Sequence, residues 1–292
     1  MNIAVLSDIH GNYEALKACI NYALEREITT FLFLGDYLGE FAYPRRTMDY
    51  LYQLRENYQC FFIRGNKEDY WLNYRNCGET GWSGYNSITG ALWYTYQNIT
   101  ERDLDFFAGM EISQTFTLGE AESITLCHGS PFSNRQDLLP KEPDTCHILE
   151  QSRTRLILCG HTHIQRKIER LGKAALNPGS VGAPIGVCRK AQFMLLHQNG
   201  NTWEEDFLSL DYPVEREIEN LYSAKLDRIA PYWCKSTIRL LQTGTDSHKL
   251  FLQKAMELCR EERGECIWPD IPEKYCEQAF EFLIEQAEFH YN

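Results

Sequence analysis

No apolar run in this 292-residue chain approaches the roughly 20 residues that a membrane-crossing helix needs. The opening MNIAVLSDIHGN reaches charge and glycine too soon for a signal peptide, so a cytoplasmic protein with no membrane partner is expected. The eleven cysteines are odd in number, scattered, and contain no CxxC pair. Cys60, Cys127 and Cys159 stand inside apolar, strand-like runs, where a free thiol behaves as a small hydrophobe, and reduced structural cysteines are the expectation. Basic residues are scarce, 29 Lys and Arg against 41 Asp and Glu for a net charge of −12, and no basic run occurs. That balance speaks against an extended grip on nucleic acid, which relies on many cations neutralising phosphates. It leaves room for a small phosphorylated substrate, because the charge of a bound metal overrides the global field locally.

Hydrophobic residues make up 43% and charged residues 24%, ordinary for a globular protein and against long disorder. The length fits one large domain or a main domain with an appendage. Neither an internal repeat nor a low-complexity tract interrupts it. The run 2–7 is followed by DIHGN and a helical pattern with Leu16, Cys19, Ile20, Ala23 and Leu24 on one face, for which Asn12 is a fitting N-cap. The run 30–35 precedes a helix near 44–56, and 60–65 precedes NKED. Strands alternating with helices predict βαβ units and a mainly parallel sheet. Residues 87–108 read as two helices, the second capped by Thr100 with an acidic first turn. Strands are predicted at 123–127 and 156–159, then at 173–177, 191–197 and 202–208, a group with few helical interruptions that suggests a second, more antiparallel sheet. From Asp211 the pattern turns helical over 213–230, 248–264 and 272–290.

The strand ends carry the chemistry. Asp8 and His10 follow the first strand, Asp36 the second, Asn66 the third, His128 a later one, and His161 and His163 the strand LILC. In an open α/β sheet the carboxyl ends of strands form the ligand crevice, so residues distant in sequence converge there. Each motif alone is ordinary turn chemistry. Seven oxygen and nitrogen donors at five strand ends form a metal constellation.

The ordered set SDIHGN (7–12), LGDYLG (34–39), RGNKE (64–68), CHGSP (127–131), CGHTH (159–163) and NPGSVGAP (177–184) resembles the calcineurin-like metallophosphoesterase superfamily. Within it, the set resembles the small bacterial and archaeal branch of phosphodiesterases and diadenosine-tetraphosphatase-like proteins. The resemblance implies an α/β fold, a four-layer α/β/β/α sandwich of two mixed sheets flanked by helices. The catalytic domain would span 1–210, with a helical extension over 211–292 docked on it. It implies two divalent transition-metal ions, drawn from manganese, iron, zinc, cobalt and nickel. One would be held by Asp8, His10, Asp36 and His163, the other by Asp36, Asn66, His128 and His161, with Asp36 bridging. It further implies hydrolysis of phosphoester or phosphoanhydride bonds by a hydroxide held between cations about 3.5–4 Å apart, with Asp36, Asn66 and His128 in catalytic positions. The partner is then a small phosphorylated substrate, a nucleotide among the candidates.

One departure stands out. Many relatives carry a histidine after Gly-Asn, and here the residue is Lys67. It is either a point cation for phosphoryl charge or a solvated lysine paired with Glu68 or Asp69. Good leaving groups, as in diesters and anhydrides, are thereby favoured over alkyl monoesters. Asn12, Asn66 and Arg189 are the candidate substrate contacts, with Lys190 beside Arg189. The aromatic stretch around Trp71, Tyr74, Trp82, Tyr85 and Trp93 is a candidate cap for a nucleobase, although core packing suits most of those rings. A non-catalytic scaffold of the same fold, and a nuclease, are the alternative functions; an oligomer is left open.

Overall fold

Alternation along short apolar strands decides the architecture. In the computed structural model, which describes residues 2–117 and 121–289, the first apolar run forms β1 (Asn2–Leu6). Its Ala4 and Leu6 join one core and its Ile3 and Val5 another. A strand buried on both faces must be covered on both. The chain continues through α1 (Tyr13–Leu24), β2 (Thr30–Phe33), α2 (Pro44–Asn57), β3 (Gln59–Phe62), α3 (Asn66–Asn76), α4 (Gly90–Asn98) and α5 (Glu101–Ala108). Then come β4 (Ser113–Phe116), β5 (Ile124–Cys127), α6 (Pro143–Gln151), β6 (Leu156–Leu158), β7 (Gln165–Arg170), β8 (Lys173–Pro178), β9 (Lys190–Asn199) and β10 (Thr202–Asp211).

Two mixed five-stranded sheets result, in the orders β10-β9-β1-β2-β3 and β4-β5-β6-β8-β7. Strands β1, β2 and β3 run parallel, as do β5, β6 and β8, while β9 lies antiparallel to β1. Ile3, Val5, Leu32, Leu126, Leu158 and Met194 meet between the sheets. Leu16, Ile20, Leu51 and Phe107 cover the outer face of the first sheet, and Ile148 and Leu149 of α6 that of the second. These four layers are the expected α/β/β/α sandwich. Asn12 caps α1 by accepting from the Ala15 N–H, and Thr100 with Asp103 forms a capping box on α5. All eleven cysteines are free.

The late strands do not form a sheet of their own. Buried over most of its length, β9 belongs in a sheet interior, and it pairs with β1, Ala4 opposite Leu195. Meanwhile β7 and β8 close a hairpin through Leu171 and Gly172, both with positive φ, and stay in the second sheet. The 213–230 segment is also not one helix: α7 (Val214–Ser223) ends before Lys225, whose φ of 61° is left-handed, and α8 (Leu226–Ile229) restarts after it. Beyond lie α9 (Pro231–Thr243), α10 (Ser247–Arg263) and α11 (Glu273–Phe289).

Leu221, Leu226, Cys234 and Leu241 of these C-terminal helices enter the core outside the first sheet. Phe251, Ala255, Tyr275 and Ala279 build a smaller core around Ile88. Ser87 fastens it, with its Oγ donating to Glu273 and accepting from the Tyr232 N–H. No helix among the described residues is long and apolar enough to cross a membrane.

Candidate metal centre

The loops leaving β1 and β2 run side by side past the ends of their strands. Asp8 N–H donates to the Gly35 carbonyl, His10 N–H to that of Asp36 and Gly11 N–H to that of Tyr37, so the two acidic loops keep register. Asp8, His10, Asp36, His161 and His163 all have φ between 54° and 68°. A left-handed φ at five non-glycine residues is uncommon and stores backbone strain. It turns consecutive side chains toward one point from loops too short to do so otherwise. The glycines are as constrained: a Cβ on Gly160 would lie 1.9 Å from Ser7 Oγ and 2.7 Å from Asp8 Oδ2, and one on Gly65 2.2 Å from Asp36 Oδ1.

The hydrogen bonds of the imidazoles fix which nitrogen faces inward. Nδ1 of His128 lies 2.7 Å from the Leu34 carbonyl, and Nδ1 of His163 2.8 Å from that of Ala183. Only a donor fits there, so each Nε2 is assigned as a lone pair. Nδ1 of His10 likewise meets Glu40 Oε2 at 2.6 Å. The inward atoms then crowd: His10 Nε2 is 3.0 Å from His163 Nε2, and His128 Nε2 is 3.0 Å from Asn66 Oδ1. Asp8 Oδ1 is 3.2 Å from His163 Nε2, and Asp36 Oδ1 is 3.4 Å from His128 Nε2.

Two groups emerge with ligand atoms close enough to share an ion, Asp8 with His10 and His163, and Asp8 with Asp36 and His128. Asp36 Oδ2 also approaches His10 Nε2, at 3.8 Å.

This arrangement asks for positive charge at its middle. Asp8 is fully buried, and its Oδ1 has no hydrogen-bond partner, an uncompensated cost for an anionic oxygen. In the bare protein a proton supplies part of the compensation. Burial opposes charge on His10, yet Glu40, Asp8 and Asp36 hold its pKa up at about 10. Burial likewise penalises the Asp8 carboxylate, but His163, His10 and His128 keep it well below the usual range. Carboxylates and inward imidazole lone pairs with outward hydrogen bonds suit divalent transition metals, and the residues present fit such ions.

Supporting groups surround the donors. Glu68, buried, accepts from the backbone N–H groups of Asp36, Tyr37 and Gly65. Burial and the neighbouring Asp36 push its carboxyl up to about 8 against those bonds. Asn177 holds the Gly160 carbonyl, and Ser180 Oγ donates to the Asp8 carbonyl, so NPGSVGAP braces both Asp8 and the turn bearing His161. Glu40 joins His10 to Lys67, with Nζ 2.5 Å from Oε1. Sequence reasoning passed over Glu40 and gave Asn177 and Ser180 no individual role, although both stand in the NPGSVGAP stretch it singled out and Glu40 directly follows LGDYLG.

Of the predicted site residues, Asp8, His10, Asp36, Asn66, His128 and His163 converge. His161 stands beside them, its N–H on Asp8 Oδ2, but its Nε2 lies 3.5 Å from Asp137 and outside both groups. Lys67 is neither solvated nor paired with Glu68 or Asp69. It lines the pocket from its salt bridge with Glu40, and although burial disfavours its charge, Glu40 and Asp36 hold its pKa above the usual lysine value.

The other assignments need correction. Asn12 is fully buried, its amide bonded to Gly182 O, Tyr212 Oη and Ala15 N, so it caps a helix and offers nothing to a substrate. Arg189 sits at the surface with both oxygens of Glu215 on its Nη2, and Lys190 pairs with Asp211. Nor do the aromatics form a cap. Trp71 is fully buried, Trp82 stacks on Tyr74 at 4.1 Å, Tyr85 is 79% exposed, and none of the five lines the pocket. The far wall comes instead from α9 and α10, through Trp233, Leu240, His248 and Leu252.

Comparison with known proteins agrees with this geometry. A protein of Methanocaldococcus jannaschii described as uncharacterised is 26% identical over 249 residues, covering 79% of this chain and 94% of its own. The crystal structure of a hypothetical protein from Pyrococcus horikoshii superposes with a TM-score of 0.70 at 21% identity, over 83% of this chain and 98% of the other. That of a metallophosphoesterase from Sphaerobacter thermophilus gives 0.67 at 19%, over 84% and 99%; at such identities the likeness is one of fold. The family model of calcineurin-like phosphoesterases matches residues 1–165, more than half of the chain and the stretch that contributes every converging donor, and the chain belongs to that family.

Proposed function

We propose that the protein is a hydrolase that holds two divalent metal ions between Asp8, His10, Asp36, Asn66, His128 and His163 and cleaves phosphoester or phosphoanhydride bonds of a small substrate. The observation that carries this reading is the set of three imidazoles, each tied outward through Nδ1 and turned inward through Nε2, around a buried carboxylate oxygen with no partner. Bound there, the metals would supply an activated water and neutralise the negative charge on the phosphoryl oxygens.

The chain's own residues do the rest. Asp8 and Asp36, held by backbone hydrogen bonds from His161 and Lys67, keep the donors fixed, so little reorganisation is needed as charge develops. Lys67 Nζ uses one of its three protons on Glu40 and can direct another at a phosphoryl or leaving oxygen. Locked against a carboxylate it acts as a fixed cation rather than a ready acid, which suits leaving groups stable as anions. The new P–O bond forms from water as the bond to the leaving oxygen breaks. Residues 1–210 are read as the catalytic unit and 211–292, of which 290–292 lie outside the described residues, as a docked extension whose α9 and α10 wall its pocket.

The test pairs elemental analysis of the purified protein with hydrolysis of a chromogenic phosphodiester and a phosphomonoester in added manganese. About two metals per chain and diester turnover are expected. Asp36→Ala and His128→Ala should each lose at least about 100-fold in rate while remaining folded. A protein that takes up no metal from manganese solution is not this hydrolase, and a scaffold role would replace the proposal.

A further inference from the structure

The pocket above the metal centre has a volume of about 530 Å³, within the usual range for small-molecule sites and more than a single phosphoryl group fills. Two of the sealed polar atoms that lack hydrogen-bond partners belong to residues lining it, Arg166 Nε on β7 and Trp233 Nε1 on α9. Arg166 is half-buried, and among the described residues no carboxylate stands within ion-pair distance of it. Three other half-buried arginines do meet an anion, Arg46 at Glu14, Arg64 at Asp69 and Arg75 at Glu101; Arg239 meets none among the described residues, but Arg166, unlike it, also lines the pocket. A partly buried guanidinium without an anion is costly, and its planar fork matches phosphate oxygens bidentately.

A second cation faces the same space from the C-terminal helices. Lys249, in the first turn of α10, is exposed on the pocket wall, and its ammonium has no partner among the described residues. The acids nearby are engaged, since Asp246 caps its own helix on the Lys249 N–H and Asp137 lies against His161. Lys67, the remaining lysine of the pocket, is held by Glu40.

We propose that Arg166 and Lys249 form an anion subsite for a second phosphoryl group of the substrate. The pocket then selects molecules carrying two linked phosphoryl groups over simple monophosphate esters. This rests on the hydrolase reading above and names its substrate class. One phosphoryl group lies at the metals and the other between β7 and α10, which gives the C-terminal extension a part in selectivity.

The experiment measures dissociation constants of ADP and AMP, which differ by one phosphoryl group, by calorimetry on manganese-loaded protein with metal content assayed before and after. Wild type should bind ADP at least about tenfold tighter than AMP, as an added bidentate charge-assisted contact implies. Arg166→Gln and Lys249→Gln should each narrow that ratio, and the double variant should bring it within about twofold. Lys249 is exposed, so its variant keeps the test valid if Arg166→Gln proves unstable. A wild-type ratio near one, or a ratio the variants leave unchanged, overturns the subsite. Hydrolysis of the chromogenic diester is followed in parallel: turnover without discrimination defeats the subsite alone, whereas discrimination without turnover defeats the hydrolase reading and leaves the subsite standing.

Discussion

Replacing Glu40 by glutamine breaks the centre without altering an atom that faces the metals. Glu40 is 6% exposed, with Oε2 2.6 Å from His10 Nδ1 and Oε1 2.5 Å from Lys67 Nζ. Both neighbours are donors here, and both need an acceptor. A glutamine has the same shape but one acceptor oxygen, so its NH2 must point at either the imidazole or the ammonium. Each charge-assisted bond contributes about 1.5–3 kcal/mol, and stranding one partner of a buried pair costs about 3–5 kcal/mol. We expect Glu40→Gln to lose about 3–5 kcal/mol of metal-free stability at pH 7, read by urea unfolding in chelator. Manganese affinity should fall about 10–100-fold by calorimetry, because His10 loses the bond that aims its Nε2.

The pH dependence follows from the same contacts. Burial opposes the Glu40 charge, but Lys67 and His10 hold its carboxyl well below the usual range. Its contribution is therefore complete above about pH 4.5 and disappears as pH falls through the depressed value. The gap between wild type and variant should close in acid. Removing the stranded ammonium as well, in Glu40→Gln with Lys67→Met, should recover part of the loss. A single variant within about 0.5 kcal/mol of wild type, with metal affinity unchanged, would refute the reasoning.

Gly160→Ala places a methyl group against Ser7 Oγ and Asp8 Oδ2. It should destabilise by about 1–3 kcal/mol and lower manganese affinity, whereas adding Ser7→Gly relieves part of both; calorimetry and thermal unfolding check it. Glu217, almost fully buried beside Glu14 on the face of α7 against α1, has a carboxyl pushed up to about 7, first by burial and then by Glu14. A raised carboxyl pKa favours the fold at low pH. Wild type should lose up to about 3 kcal/mol, from about 2.5 pK units at 1.36 kcal/mol each, as pH rises from about 4.5 through 7. Glu217→Gln should flatten that slope and be the more stable protein at pH 8 in urea melts; an unchanged slope would defeat the assignment.

The sandwich was legible because its signals are local. Short apolar runs ending in glycine, each followed by a helical period, point to strand, turn and helix wherever they occur. Where the reading went astray, the deciding contact was remote. Nothing within 190–199 says that β9 will lie beside β1, since the pairing of Ala4 with Leu195 spans almost the whole domain. Only burial on both faces of β9 hints that it needs an interior place. Strands β4 and β7 went unread because SQTF and QRKIER have too few buried positions to show a period. Helix α9 was missed because serine and threonine fill buried positions that apolar residues usually hold.

The metal-facing side chains were legible for a topological reason: parallel strands end at one edge, so polar residues just after each strand must meet. The groups that orient them follow no such rule. Glu40 reaches His10 and Lys67, 30 and 27 residues away in the chain, and Arg166 is the second residue of β7, in a run of charged residues that reads as solvent-facing. A strand-end motif announces donors, because backbone position alone decides where they point. Whether a long cation faces water or the pocket depends on which carboxylates come within its reach, and that is set only when the sheets and C-terminal helices close together. Arg189 finds Glu215 there and leaves the site; Arg166 finds no such anion among the described residues and stays in it.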